Sequence, residues 1–300
     1  MYRELTGSTT AFRPNAQIIV LLAVMLYAAT DAMVKYLAAR YSVLEITFFR
    51  HMFSLIPVML IIRREGGFLA LRTSRMGLHI LRAFLGVGAM LLYFISFSFL
   101  PLADVIAIGF SAPLMLIVLC RVVLSEKVSA GTSLALFIGL FGVLIILQPS
   151  TAIFQTSALL PLMAAMCLSV YMLLLKMLSH TETASSLIFY VPIAGMLVSG
   201  VALPWAGKAP TLSDLGLFAI MGVVGGIALF LRNEAYSRAP AFSLIPFEYT
   251  GVIWAALLGF FVFGDSVSSN LIIGSSILVV TNIYVVWKKE ARKVGSPKPV

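Results

Sequence analysis

The chain has 300 residues, of which 61% are hydrophobic and only 11% are charged. A soluble domain is usually about 45–50% apolar and about 25% charged, so this composition excludes an ordinary soluble fold. The formal net charge of +9 would suit a protein that binds nucleic acid, but the basic residues lie in short segments beside apolar runs. That distribution is typical of membrane proteins, and we expect no nucleic acid partner.

Ten apolar runs follow one another along the chain, bounded by charge, proline or glycine. Their lengths are close to the roughly 20 residues that a helix needs to cross a bilayer. The first run is too long for the core of a signal peptide, roughly 7–15 residues, so we interpret it as a retained helix. The ten predicted spans are Ala16–Leu37, Val43–Ile62, Met76–Phe99, Pro101–Leu124, Gly131–Leu147, Ala158–Leu178, Ser185–Leu203, Leu215–Tyr236, Ala239–Phe263 and Asn270–Trp287.

Lysine and arginine are unevenly distributed between the two sides that these spans define. With the N-terminus inside, the inner segments hold sixteen basic residues and the outer segments hold only Lys35, Arg40 and Lys208. Cytoplasmic loops carry such an excess. Because ten spans return the chain to its starting side, we predict that both termini are cytoplasmic.

The sequence also contains a weak internal repeat at an offset of 139 residues. The matched pairs include Gly86 with Gly225, Pro101 with Pro240, Glu126 with Asp265, and Val128-Ser129 with Val267-Ser268. Each half then has five spans, and an odd number inverts the second half, as in alternating-access carriers. We therefore predict an all-α membrane protein with a cytoplasmic tail at 1–15, five-helix repeats at 16–148 and 157–287, and a basic cytoplasmic tail at 288–300.

Several ionisable residues fall inside the predicted spans, where each costs about 2.5–3.5 kcal/mol on insertion scales. Asp31 and Lys35 lie one turn apart on one face of the first span. They either neutralise each other near the outer interface, with Lys35 reaching toward water, or both belong to the substrate-binding or coupling site, where Asp31 binds a substrate cation or a proton.

Two arginines in the second and third spans, Arg50 and Arg82, need partners because a guanidinium keeps its charge. Structural pairing between helices is one role for each, and Glu45 lies five residues before Arg50. We assign Arg82 and Glu45 to structural charge pairing. Arg50 is the better candidate for binding a substrate carboxylate.

Glu248 is the first candidate for substrate binding or proton coupling, because it lies near the middle of the ninth span between Pro246 and Gly251. Tyr249 adds a hydroxyl beside it, and a hydrogen-bonded structural glutamate is the alternative role. Tyr93 and Trp254 are candidates for an aromatic lining around a planar or cationic substrate, or else they pack between helices.

Four segments resemble the EamA branch of the drug/metabolite transporter superfamily. They are Phe48-Phe49-Arg50, Arg82–Pro101, Leu124-Ser125-Glu126-Lys127 and Phe263-Gly264-Asp265. The resemblance implies a ten-helix, two-repeat carrier of the bacterial inner membrane. Within the family, Asp31–Leu37 and Thr73–Arg82 are most similar to the S-adenosylmethionine and riboflavin uptake members, although Thr30 stands where the first group is expected to have a polar amide.

These observations predict a secondary active transporter of a small polar metabolite. Asp31 and Glu248 favour a cationic or zwitterionic substrate, and S-adenosylmethionine-type uptake or exchange is the first candidate. Riboflavin uptake and export of amino acids, metal-chelating metabolites or drugs are alternatives, as is a channel or non-transporting subunit. No H-E-x-x-H or G-x-S-x-G motif supports an enzyme. We expect a monomer or homodimer in lipid, with a coupling proton or counter-substrate and with no cofactor or metal.

Overall fold

The computed structural model describes residues 16–64, 66–123, 130–147, 156–178, 181–238, 247–248 and 250–294. Within these ranges all regular secondary structure is helical. The α-helices are α1 (Ala16–Ala38), α2 (Val43–Arg64), α3 (Met76–Phe97), α4 (Leu102–Gly109), α5 (Ala112–Val123), α6 (Ala130–Leu147), α7 (Leu159–Leu178), α8 (Ala184–Ala206), α9 (Leu212–Arg238), α10 (Thr250–Leu258) and α11 (Ser269–Val294). Short 3-10 turns occupy Gly67–Leu71 and Thr156–Ala158, and a π-helical turn at Gly259–Phe263 follows α10.

Seven of the described segments are long and apolar enough to cross a membrane. They are Ala16–Ala38, Val43–Arg64, Met76–Phe97, Leu102–Val123, Thr156–Leu178, Ser185–Trp205 and Leu212–Arg232. Three further apolar helices, Phe137–Ile146, Thr250–Phe263 and Ser269–Thr281, are shorter. Large apolar side chains such as Phe137 and Phe141 are exposed at the surface. A surface of this kind suits hydrocarbon rather than water.

The fourth predicted span is two helices rather than one. Helix α4 ends at Gly109 and α5 begins at Ala112, with Phe110 and Ser111 between them. Pro113 has no backbone N–H to donate to the carbonyl of Gly109, so a continuous helix is disfavoured at this point. The single-helix prediction for Pro101–Leu124 is therefore wrong in this detail.

The last predicted boundary also differs, because α11 continues to Val294. Residues 288–294 are helical, although they were assigned to a tail beyond the tenth span. Of the residues matched by the internal repeat, Pro240, Glu126 and Val128-Ser129 lie outside the described ranges.

The helices pack in pairs that join early and late parts of the chain. Helix α1 lies along α9, α3 along α7, α6 along α11, and α2 against both α8 and α9. The main apolar core contains fully or almost fully buried Phe94, Leu102 and Phe218 from three different helices. We call the end of the bundle where α1 finishes the Lys35 end, and the opposite end, where α3 begins, the His79 end.

The backbones of α6 and α11 come close together at a pair of glycines. A Cβ atom added at Gly142 would lie 2.9 Å from the carbonyl oxygen of Gly274, and one added at Gly274 would lie 2.6 Å from the carbonyl oxygen of Gly142. Small residues allow this kind of contact between helices in a membrane. The pair therefore brings the last helix of each predicted repeat together.

We expect Gly142→Ala to lower the thermal unfolding temperature of the detergent-purified protein. The added methyl group must push two helix backbones apart, and overpacking of this kind costs about 1–3 kcal/mol. Gly88→Ala is the matched control, because a Cβ atom there meets nothing within 4 Å. Equal unfolding temperatures for the two variants would contradict the close contact.

Candidate functional site

The interior of the bundle holds an ion pair between α1 and α2. Nη1 of Arg50 lies 3.5 Å from Oδ1 of Asp31, and the two side chains are 12% and 23% exposed. The guanidinium carbon of Arg50 lies 5.3 Å from the ring centre of Phe94 on α3. Gly225 on α9 lies beside this arginine, since a Cβ atom added there would be 3.7 Å from Nε, an ordinary contact distance. Arg50 is thus enclosed by three other helices.

Two tyrosines lie near this ion pair, and a third lies near one of them. Tyr27 lies one turn before Asp31 on α1 and is within electrostatic range of Asp31, Arg50 and Tyr171. Tyr93 on α3 is within electrostatic range of Asp31, and its hydroxyl group packs against Gly109. The site therefore combines one acid, one base and several aromatic rings from α1, α2, α3 and α7.

Sequence reasoning identified Asp31, Arg50 and Tyr93 but missed Tyr27 and Tyr171. Tyr27 carried a usable signal, because a residue four positions before Asp31 must share its helix face. Tyr171 had no such signal, since it reaches the site only through the packing of α7 along α3.

Glu248 forms a two-pronged ion pair with Arg232 of α9. Nε of Arg232 donates to Oε1 at 2.8 Å and Nη2 donates to Oε2 at 3.2 Å. Arg232 also lies within electrostatic range of Tyr27, so this pair borders the Asp31 site. Glu234, two residues further along α9, pairs with Arg238 at 2.6 Å.

Trp254 and Tyr249 are the two aromatic candidates on the same predicted span as Glu248. Trp254 packs with Leu231 and Phe247 against the apolar first turns of α1. This position corresponds to the packing alternative for Trp254. Tyr249 lies outside the described residues.

Lys35 pairs with Asp265, not with Asp31. Its Nζ atom lies 2.5 Å from Oδ2 of Asp265 and 4.7 Å from the ring centre of Phe263. The same carboxylate oxygen accepts the backbone N–H of Leu102 at 3.1 Å. Asp104 is also within electrostatic range of Lys35 and Asp265. We call Lys35, Asp265 and the N–H of Leu102 the Lys35 clasp, which ties α1 and α4 to the segment after α10.

The two residues assigned to structural charge pairing have backbone and hydroxyl partners instead. Glu45 accepts the backbone N–H of Ser42 at 2.8 Å and that of Lys208. Arg82 donates to the backbone carbonyl of Leu187 and, at 3.3 Å, to the hydroxyl of Tyr171. Both residues still join helices, but they do so through neutral polar groups.

The chain was compared with known proteins at the level of family, sequence and fold. A model of the EamA-like transporter family matches residues 15–148. An S-adenosylmethionine uptake transporter of Rickettsia bellii (strain RML369-C) is 29% identical over 270 residues, which is 90% of this chain and 92% of that protein. A riboflavin transporter of Vibrio cholerae is 30% identical over 233 residues, or 75% and 76% of the two chains.

Two further similarities concern direction of transport and fold. A pseudopaline exporter of Pseudomonas aeruginosa is 24% identical over 266 residues, covering 88% of this chain and 92% of that protein. One crystal structure superimposes with a TM-score of 0.67 at 16% identity, covering 94% of this chain and 99% of the other. At that identity the superposition establishes a shared fold.

Apolar helices of membrane length, together with the transporter relatives, define the class of this protein as a multi-pass membrane transporter rather than an enzyme. The chain belongs to the EamA-like transporter family, and it is a protein of the bacterial inner membrane.

We expect removal of either charge of the Lys35 clasp to destabilise the protein. Asp265→Asn or Lys35→Gln leaves the other charge without its partner, at a cost of about 2 kcal/mol for a pair that is largely but not fully buried. Thermal unfolding of the two variants and of the double variant measures the coupling. If the double variant loses as much stability as the two single variants together, the two charges do not interact, and the clasp is contradicted. Arg238→Gln is the control, because its pair is more exposed and should have little effect.

Proposed function

We propose that the protein is a secondary active transporter that moves a small cationic or zwitterionic metabolite across the inner membrane by alternating access. S-adenosylmethionine-type uptake or exchange is the first candidate for its activity. Riboflavin uptake is the second candidate, and export of amino acids, metal-chelating metabolites or drugs is the third.

The observation that carries this proposal is the Asp31–Arg50 pair among tyrosine rings. A separation of 3.5 Å is longer than the roughly 2.7–2.9 Å of a close charge-assisted hydrogen bond. A zwitterion can present its cationic group to Asp31 and its carboxylate to Arg50. Each protein charge then exchanges one partner for another, so neither is left unpaired in a medium where an unpaired charge is costly.

The aromatic residues favour a substrate with positive charge or a flat ring. Tyr27 and Tyr93 lie within electrostatic range of the ion pair, and Tyr171 lies within range of Tyr27. Aromatic faces attract cations by about 0.5–2 kcal/mol. In this proposal Glu248 and Arg232 form a second charged wall of the site, and Tyr249 is a further candidate from the sequence. S-adenosylmethionine combines a cationic centre, an amino acid group and a flat base, which suits all of these groups.

The helix packing supports the proposal of two inverted repeats. In this proposal the helices of the first repeat correspond in order to those of the second repeat. The first set is α1, α2, α3, α4–α5 and α6, and the second set is α7, α8, α9, α10 and α11. Exchanging the two sets converts the α1–α9 contact into the α7–α3 contact, and it converts the α2–α9 contact into the α8–α3 contact. The α2–α8 and α6–α11 contacts convert into themselves. Approximate twofold symmetry of this kind is the basis on which repeats rock around a central site in carriers.

The comparisons support a metabolite transporter but leave both substrate and direction as proposals. The relatives from Rickettsia and Vibrio carry the names of an S-adenosylmethionine uptake transporter and a riboflavin transporter. A relative of similar coverage carries the name of an exporter. We place uptake first because the match to the S-adenosylmethionine uptake transporter covers 270 residues, whereas the match to the exporter covers 266.

Counterflow in proteoliposomes tests the proposal directly. Vesicles loaded with unlabelled S-adenosylmethionine or riboflavin receive the same compound in labelled form outside. A carrier accumulates label transiently because exchange is faster than net flux, whereas a channel does not. A parallel thermal-shift screen with amino acids and metal-chelating metabolites covers the export candidates. Absence of both counterflow and any stabilising ligand would overturn the proposed function.

Arg50→Gln and Asp31→Asn are expected to reduce counterflow by at least about tenfold. Each removes one charged hydrogen bond to the substrate, worth about 1.5–3 kcal/mol, and tenfold corresponds to about 1.4 kcal/mol. Arg40→Gln is the matched control, since Arg40 forms a comparable 3.3 Å ion pair with Asp214 away from the site, at the Lys35 end. If counterflow is as low in Arg40→Gln as in Arg50→Gln, the loss is not specific to Arg50, and its proposed role in substrate binding is contradicted.

Glu248→Gln is expected to abolish coupled transport while the protein remains folded. The amide keeps the shape of the side chain but loses the charge that pairs with Arg232, so the second wall of the site is changed. Thermal unfolding checks the fold and counterflow checks the activity. Full counterflow by Glu248→Gln would exclude Glu248 from substrate binding.

A further inference from the structure

A buried acid–base pair lies at the His79 end of the bundle, and it is not part of the proposed substrate site. Nε2 of His79 lies 3.4 Å from Oε2 of Glu182, and the two side chains are 0% and 3% exposed. Glu182 lies in the turn between α7 and α8, where its neighbours Thr181 and Thr183 are exposed. An acid in a surface turn normally points into water, whereas this one turns inward onto a histidine.

Few described groups determine the charge of His79. Tyr190 of α8 packs its ring 4.6 Å from the imidazole and donates its hydroxyl to the carbonyl of Leu71 at 2.7 Å. Burial has the largest effect and disfavours the charged imidazole, Glu182 favours it, and Arg82, one turn further along α3, repels it. Histidine is the side chain whose charge changes near neutral pH. The separation of 3.4 Å leaves the pair room to tighten when the imidazole gains a proton.

The pair bridges the two predicted repeats at a junction with several polar contacts. His79 belongs to α3, and Glu182 lies two residues before the first residue of α8. At the same junction Thr183 donates to the carbonyl of Ala70, and Arg82 donates to the carbonyl of Leu187. Among the described contacts of this junction, the His79–Glu182 pair is the one that changes charge when an imidazole gains or loses a proton.

A chain of side chains connects this junction to the proposed substrate site. Arg82 lies 4.9 Å from the ring centre of Tyr171 and donates to its hydroxyl. Tyr171 is within electrostatic range of Tyr27, which is in turn within range of Asp31. A movement of α8 relative to α3 would change the position of Arg82, and with it the aromatic wall around Asp31.

We propose that His79 and Glu182 form a proton-binding site that closes the His79 end of the transporter. A proton taken from water at this end charges the imidazole, strengthens its attraction to Glu182 and holds α3 against α8. Loss of the proton leaves a neutral imidazole and weakens the junction. This inference rests on the proposed function for its role in transport, but the closure itself requires no substrate.

The test that needs no substrate is double electron–electron resonance on the full chain in lipid nanodiscs. One spin label is placed at Leu69→Cys in the 3-10 turn before α3, and the other at Thr181→Cys in the turn before α8, because both positions are exposed. The background carries Cys120→Ser and Cys167→Ser, which remove the two native thiols. Distances are measured at about pH 5.5 and about pH 8, on either side of the ordinary histidine pKa near 6.5.

We expect the distance distribution to shift to longer values at the higher pH in the parent protein. His79→Gln and Glu182→Gln should abolish the shift, and His79→Gln should give the long distances at both pH values. His51→Gln is the matched control. His51 is also a buried histidine, but its partner is the backbone carbonyl of Thr47 at 2.9 Å. A parent distribution that does not change with pH, or a shift that survives in His79→Gln, would overturn the proposal.

Counterflow of S-adenosylmethionine or riboflavin over the same pH range separates this inference from the proposed function. If the parent exchanges either compound, its rate should depend on pH, and His79→Gln should flatten that dependence while His51→Gln keeps it. An unchanged pH profile in His79→Gln would contradict the inference and leave the transporter proposal standing. A parent that exchanges neither compound would count against the substrate candidates, while the resonance measurement would still decide the proton site.

Discussion

The structure depends on one constraint, which is that a charge inside a bilayer needs a partner. Asp31 and Lys35 lie one turn apart on α1 and are positioned to neutralise each other. Instead, Asp31 pairs with Arg50 on α2, and Lys35 pairs with Asp265 in the segment after α10. Because each charge finds its partner on another element, α1 is connected to both parts of the chain. A local pair would have satisfied the charges without joining anything.

These connections give α1 a central position in the molecule. Its face along α9 and its apolar first turns hold it in the bundle, and its two charges lie at different depths along its length. Asp31 faces the interior with Tyr27, whereas Lys35 closes one end through the clasp. A substrate that binds Asp31 must compete with Arg50. Binding would then loosen the contact between α1 and α2 at the same time as it satisfies both charges.

Much of the helical framework could be predicted because apolar runs are a local signal. Helices α2 and α3 begin at the predicted residues Val43 and Met76. The break between α4 and α5 was missed, although Pro113 was a visible signal for it. The candidate site was only partly predictable. Asp31 and Arg50 were conspicuous as charges in apolar runs, whereas an aromatic residue such as Tyr171 cannot be distinguished from packing by its spacing.

The sequence by itself determined the membrane class, the approximate positions of most of the described helices and the family, because composition, run length and short motifs are properties of contiguous residues. The tertiary structure alone decided which charges meet. Lys35 and Asp265 are 230 residues apart in the chain, and Glu248 is held by Arg232 rather than standing alone as a buried acid. Helical periodicity tells which residues share a face. Only the packing of distant helices determines what that face contacts, and here it tied Asp31 and Lys35 to two different partners.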